Sequence, residues 1–152
     1  METKVILLVE DNPRDEALTI RALRKCNISN EIVVARDGVE ALDYLFARGD
    51  HAGRDMTNVP EVVLLDLKLP RMDGFEVLAA VRSNELTRRQ PIVIFTSSDE
   101  EEDRIRGYDL GVNSFVRKPV DFDQFTEATR QIGLYWLLTN MTAPPVVKEI
   151  DG

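Results

Sequence analysis

The chain has 152 residues, with 27 acidic against 19 basic side chains, a net charge of −8 and one cysteine. Its length suits a single domain that buries roughly 70% of its unfolded surface without a covalent staple, and the lone cysteine excludes an internal disulfide and fits a reducing cytoplasm. The acidic balance leaves no visible basic face for nucleic acid and favours solubility, a bound cation or a basic protein partner.

Lys4–Val9 reads as a buried strand whose apolar run stops at Glu10 and Asp11. That run is too short for a signal-peptide core or a membrane span, and nothing later approaches the ~18 apolar residues a span needs. A helix follows over Pro13–Cys26, with Asn12 as its cap and proline in its first turn. Glu31–Ala35 is a second strand, and Asp37 caps a helix that runs to Ala47. Val62–Leu65 is a third strand, ending at Asp66, and Gly74–Arg82 is a short helix. Ile92–Phe95, a helix over Asp99–Tyr108, the strand Ser114–Val116 and a long helix over Asp121–Asn140 complete the pattern. Residues 48–60 form a long polar connection, and 141–152, with Pro144 and Pro145, read as a flexible tail beyond a domain spanning 3–140.

Short Val/Ile/Leu strands alternating with helices imply an α/β fold, a parallel sheet covered on both faces. Open sheets of this kind bind ligands beyond the carboxyl ends of their strands. The residues just past the apolar runs are Glu10 and Asp11, Asp66, Thr96 and Lys118, all polar and all brought to one sheet edge. Three carboxylates gathered there repel one another and need a cation, and hard oxygen ligands suit Mg²⁺. Capping of the next helix is the ordinary alternative for Glu10 and Asp11.

The segments VEDNP (9–13), LLDLKLPRMDG (64–74), FTS (95–97) and FVRKP (115–119), in this order, resemble the receiver domains of response regulators. The resemblance covers roughly residues 3–140. It implies a flavodoxin-like, CheY-like fold: a five-stranded parallel sheet in the order 2-1-3-4-5 with helices on both faces. It also implies a phosphoacceptor at Asp66, supplied by a sensor histidine kinase, and Mg²⁺ held by Glu10, Asp11, Asp66 and the Lys68 backbone carbonyl. Thr96 and Lys118 would contact the phosphoryl oxygens, Pro119 would follow a cis peptide that aims Lys118 inward, and Thr96 with Phe115 would form the switch. Pro70 and Gly74 would shape the loop after Asp66, glycine permitting a turn that other residues resist. The Lys68 side chain would overhang the phosphoryl site.

Such a protein is a cytoplasmic signalling switch rather than an enzyme. The competing reading is a Mg²⁺-dependent phosphohydrolase with an aspartyl-phosphate intermediate. Those enzymes carry a second acid two residues after the nucleophile, where this chain has Lys68.

On the final helix, Phe122, Phe125, Ile132 and Trp136 share a stripe expected to face the sheet. Leu134, Leu137, Leu138 and Met141 form a second stripe, which points to a homodimer through the last strand and helix. The 48–60 connection and the GLYWLLTN ending resemble the phytochrome-associated, single-domain regulators, implying a phytochrome-type kinase. Other features read plainly. Cys26 is a small buried hydrophobe, His51 a solvated loop residue, and Trp136 packing. The acids of DEEED (99–103) complement a helix start that Ser98 or Asp99 caps.

Overall fold

The computed structural model describes residues 4–144 and 146. The elements are β1 (Val5–Val9), α1 (Pro13–Lys25), β2 (Glu31–Ala35), α2 (Gly38–Leu45), β3 (Val62–Leu65), α3 (Gly74–Ser83), β4 (Ile92–Thr96), α4 (Glu101–Asp109), β5 (Ser114–Arg117) and α5 (Phe122–Gly133). All five strands are parallel and ordered β2-β1-β3-β4-β5. None of the described helices is long and apolar enough to cross a membrane.

The period of two in a strand sends alternate side chains to opposite faces, and each face has its own core. Leu7, Val9, Val63, Leu65, Ile92 and Ile94 pack with α2 and α3. Ile6, Leu8, Val62, Leu64, Val93 and Phe95 pack with α1 and α5 through Leu23, Phe125 and Ile132, and with Trp136 just beyond α5. Continuous burial along β1, β3 and β4 is why these segments read as unbroken apolar runs.

Local chemistry sets the helix starts. Asn12 Oδ1 accepts the N–H groups of Arg14 and Asp15 at 2.9 and 3.1 Å. Asp37 and Asp73 cap α2 and α3 in the same manner, Asp73 in a reciprocal box with Glu76. The α4 start differs from expectation: Glu100 occupies the cap without a side-chain bond. The Ser98 hydroxyl instead accepts the Glu100 N–H and donates to Asp103, while exposed Asp99 pairs with Arg117.

Residues 48–60 are organised, not merely polar. The Arg54 guanidinium lies over the Tyr44 ring and donates to the carbonyls of Tyr44, Leu45 and Asn58. His51 sits edge-on to the same ring, at 5.0 Å between centroids, rather than free in solvent.

The last helix also departs from its wheel. After Gly133 the chain continues as a π-helical turn over Leu134–Thr139, and the wider turn shifts the angular phase. Trp136 is buried and Leu137 packs against the α1/α5 core, so Leu137 leaves the expected second stripe. Phe122 is 43% exposed and not sheet-facing, whereas Leu138 and Met141 are 72% and 94% exposed. Of the expected tail, residues 145 and 147–152 lie outside the described residues.

Candidate functional site

Strand register builds the site. The Glu10 N–H bonds the Ala35 carbonyl, the Asp66 N–H the Val9 carbonyl, and the Lys118 N–H the Thr96 carbonyl. Each ladder therefore brings the residues at its strand's carboxyl end to the same sheet edge. Glu10, Asp66, Thr96 and Lys118 are all buried there. Gly74 permits a close approach: a Cβ on it would overlap the Asp66 carbonyl oxygen.

Lys118 Nζ donates to Glu10 Oε1, to Asp15 Oδ2 at 3.0 Å and to Asp66 Oδ2 at 3.3 Å. Asp66 Oδ1 accepts the Leu67 N–H at 2.8 Å. Among the described residues no peptide bond is cis, so the Lys118–Pro119 bond is trans, against the expectation. The lysine is turned inward by its backbone bond to Thr96 and by the carboxylates that face it.

Burial, together with the charge on Asp66, pushes the Glu10 carboxyl up to about 7 despite its bond to Lys118. Burial disfavours the Lys118 ammonium, yet the charge of Asp66 and the bonds to Glu10 and Asp15 outweigh it and hold its pKa above the ordinary lysine value. The pocket thus holds several acids around one committed cation.

Ligand atoms of Glu10, Asp11 and Asp66 lie within 4.8 Å of one another. These are hard oxygen donors on one side of the pocket, with exposed Asp11 open to water, and they fit a divalent cation of the Mg²⁺ or Mn²⁺ type. Lys68 follows on the loop with its side chain exposed. In that loop the Met72 N–H donates to the Pro70 carbonyl at 2.7 Å across Arg71, whose φ is +64°. This is the rare γ-turn with positive φ. The turn expected of glycine therefore falls on Arg71, whose guanidinium is anchored on Asp37 at 2.8 and 2.9 Å.

The Thr96 hydroxyl accepts the Ser98 N–H at 3.3 Å and retains a proton to donate. Phe115 is half-buried against the α2/α3 core, beside Ile94 and Gly107. Asp15 is the residue that sequence reasoning missed. It stands in the first turn of α1, where an acid reads as an ordinary complement to the helix start, and its partner Lys118 is distant in sequence.

The pattern of the response regulator receiver domain matches residues 6–130. Response regulator Rcp1 of Synechocystis is 37% identical over 136 residues, which cover 90% of each protein. Its Mn²⁺-bound crystal structure superimposes with a TM-score of 0.85 at 36% identity, covering 92% of this chain and 99% of that one. The phosphorylated cyanobacterial phytochrome response regulator RcpA gives 0.86 at 38% identity, over 93% and 99% of the two chains. The bacteriophytochrome response regulator AtBRR is 55% identical, with a TM-score of 0.73 over 93% of this chain and 100% of that one.

Proposed function

Because the chain belongs to the response regulator receiver family, whose part in two-component signalling is to accept a phosphoryl group, we propose that Asp66 is its phosphoacceptor. The observation that carries this reading is the convergence on Asp66 of the Lys118 ammonium and the carboxylates of Glu10 and Asp11.

In the reaction, an Asp66 carboxylate oxygen attacks the donor phosphorus and the bond from phosphorus to the kinase histidine nitrogen breaks. The imidazole leaves with that electron pair. Such transfer depends chiefly on alignment and on neutralising the equatorial oxygens. Lys118 supplies a fixed positive charge beside Asp66, and the Thr96 hydroxyl donates to a phosphoryl oxygen. Glu10, Asp11, Asp66 and the Lys68 carbonyl would hold Mg²⁺, which supplies further charge neutralisation when bound. The hydrolase alternative lacks its second acid, because exposed Lys68 stands in that position.

The switch then follows. A phosphoryl acceptor draws the Thr96 hydroxyl away from the Ser98 N–H, and Phe115 shifts from its resting place beside Ile94 and Gly107 as the 96–98 loop moves. Likeness to regulators named for phytochromes supports a phytochrome-type histidine kinase as donor, and the transfer would take place in the cytoplasm. Exposed Leu138 and Met141, with half-exposed Tyr135, offer a second copy of the chain an apolar surface at the end of the last helix.

Intact-mass measurement after incubation with acetyl phosphate and Mg²⁺ tests the central reading. One added phosphate is expected on the wild type and none on Asp66→Asn or after chelation. An unmodified, folded wild type would sink it. For the dimer, Leu138→Glu is expected to halve the mass found by sedimentation, and a wild type already monomeric at high micromolar concentration would refute the interface.

A further inference from the structure

An ammonium has three N–H donors, and Lys118 gives all three to carboxylates: Glu10, Asp15 and Asp66. A phosphoryl oxygen that reaches Nζ must displace one of them. Glu10 and Asp66 belong to the cluster able to hold a cation; Asp15 does not. Among the described residues, the Asp15 carboxylate has Lys118 as its hydrogen-bond partner and no other. It is also the most exposed of the three, at 21% of its side chain against 3% for Glu10 and 11% for Asp66. It opens onto a cavity of about 200 Å³ that Lys118, Ser97 and Phe122 also line.

Resting on the assignment of Asp66 as phosphoacceptor, we propose that Asp15 is a positioning residue that holds the Lys118 ammonium on the α1 side of the pocket and competes with the incoming phosphoryl group for it. Acids in a first helical turn commonly serve the helix dipole. Glu16 already supplies such a charge while pairing with Arg36 at the surface. Asp15 instead spends its carboxylate on the buried lysine. Its negative charge acts twice against phosphorylation: it occupies a donor, and it stands next to a group that gains negative charge. Asp15 thus tunes how readily the site accepts a dianionic donor, without touching the reacting atoms.

The test measures phosphorylation rate against acetyl phosphate concentration at saturating Mg²⁺, by intact mass, for wild type, Asp15→Asn and Asp15→Glu. Asp15→Asn keeps the shape and removes the charge. It is expected to lower the half-saturating donor concentration about fivefold, with the limiting rate changed by less than about twofold. Asp15→Glu restores the charge and is expected to return that concentration to within about twofold of wild type. A merely structural role would lower the limiting rate and show no dependence on charge. An unchanged half-saturating concentration in Asp15→Asn, a reduced limiting rate, or failure of Asp15→Glu to restore the wild-type value would overturn the proposal. Absence of any adduct on the wild type would defeat the Asp66 assignment instead, and the two failures are thereby distinct.

Discussion

The two ends of the sheet handle buried polar groups in opposite ways. At the amino ends of the strands, polar side chains serve the backbone. Arg82 donates to the carbonyls of Gly111, Arg88 and Gln90 and to Asn113 Oδ1. Asn113 Oδ1 also takes the Ile92 N–H, and Gln90 donates to the Pro60 and Pro91 carbonyls. At the carboxyl ends, charges face charges: Glu10, Asp15 and Asp66 converge on Lys118. One end satisfies orphan backbone carbonyls and holds the loops together, although Gln90 Oε1 itself is left without a partner among the described residues. The other keeps an unfavourable excess of negative charge that a cation and a phosphoryl group can later use. A domain that concentrates stability at one edge can tolerate strain at the other.

Substitutions should separate the two edges. Arg82→Ala strips several carbonyls of their donor and is expected to lower stability by ~3 kcal/mol, or about 10 °C in melting temperature. The folded fraction should still phosphorylate at the wild-type rate. A melt within 2 °C of wild type, with ~2 °C taken as the reach of a minor contact, would mean that the amino-end network is ornamental.

At the other edge, stability should depend on pH through Glu10. Its pKa rises from 4.5 to about 7 on folding, so the folded protein holds that proton more tightly than the unfolded chain. The resulting stabilisation is complete below pH ~4.5 and is lost as pH rises through about 7, amounting to ~3 kcal/mol at most. Glu10→Gln should flatten this slope in chelator. Mg²⁺ needs the carboxylate, so its stabilising effect should grow over the same pH window. A metal-free urea midpoint independent of pH between 5 and 8 would contradict this reading.

Asp66→Asn tests the excess charge more directly. Removing one of several mutually repelling acids should raise metal-free stability by ~1 kcal/mol while abolishing phosphorylation, a gain in stability at the expense of function.

How much of this was legible depended on range. Helix caps such as Asn12 and Asp37, and the apolar strands, are local, and the sequence displays them directly. The convergence of Glu10, Asp66 and Lys118 was legible because parallel register places successive strand ends together. Three features were not. Asp15 faces Lys118 across 103 positions of sequence, and no strand end marks it. The π turn after Gly133 rotates Leu137 into the core, which a wheel of constant pitch cannot foresee. Arg54 gathers residues 44–58 by bonding their carbonyls, and carbonyls carry no sequence signal.

The smallest effect on stability is expected in the loop that joins the two behaviours. Arg71 adopts a left-handed φ of +64°, which for a residue with a Cβ costs ~1 kcal/mol. Its guanidinium recovers a comparable amount from the carboxylate of Asp37 across a partly exposed contact. Arg71→Gly removes both terms, so its denaturation midpoint should match wild type to within ~0.5 kcal/mol. Arg71→Ala keeps the strain, loses the pair and should fall by ~1 kcal/mol. The two variants should diverge in cation binding in the opposite sense. Glycine frees the 66–74 loop that carries the Lys68 carbonyl, so Arg71→Gly should weaken Mg²⁺ binding severalfold, as read by the Mg²⁺ dependence of the melt. Alanine, still confined to few backbone conformations, should weaken it less. Equal Mg²⁺ affinities in the two variants would show that the γ-turn does not set the position of that carbonyl, and the strain at Arg71 would then be incidental to the site.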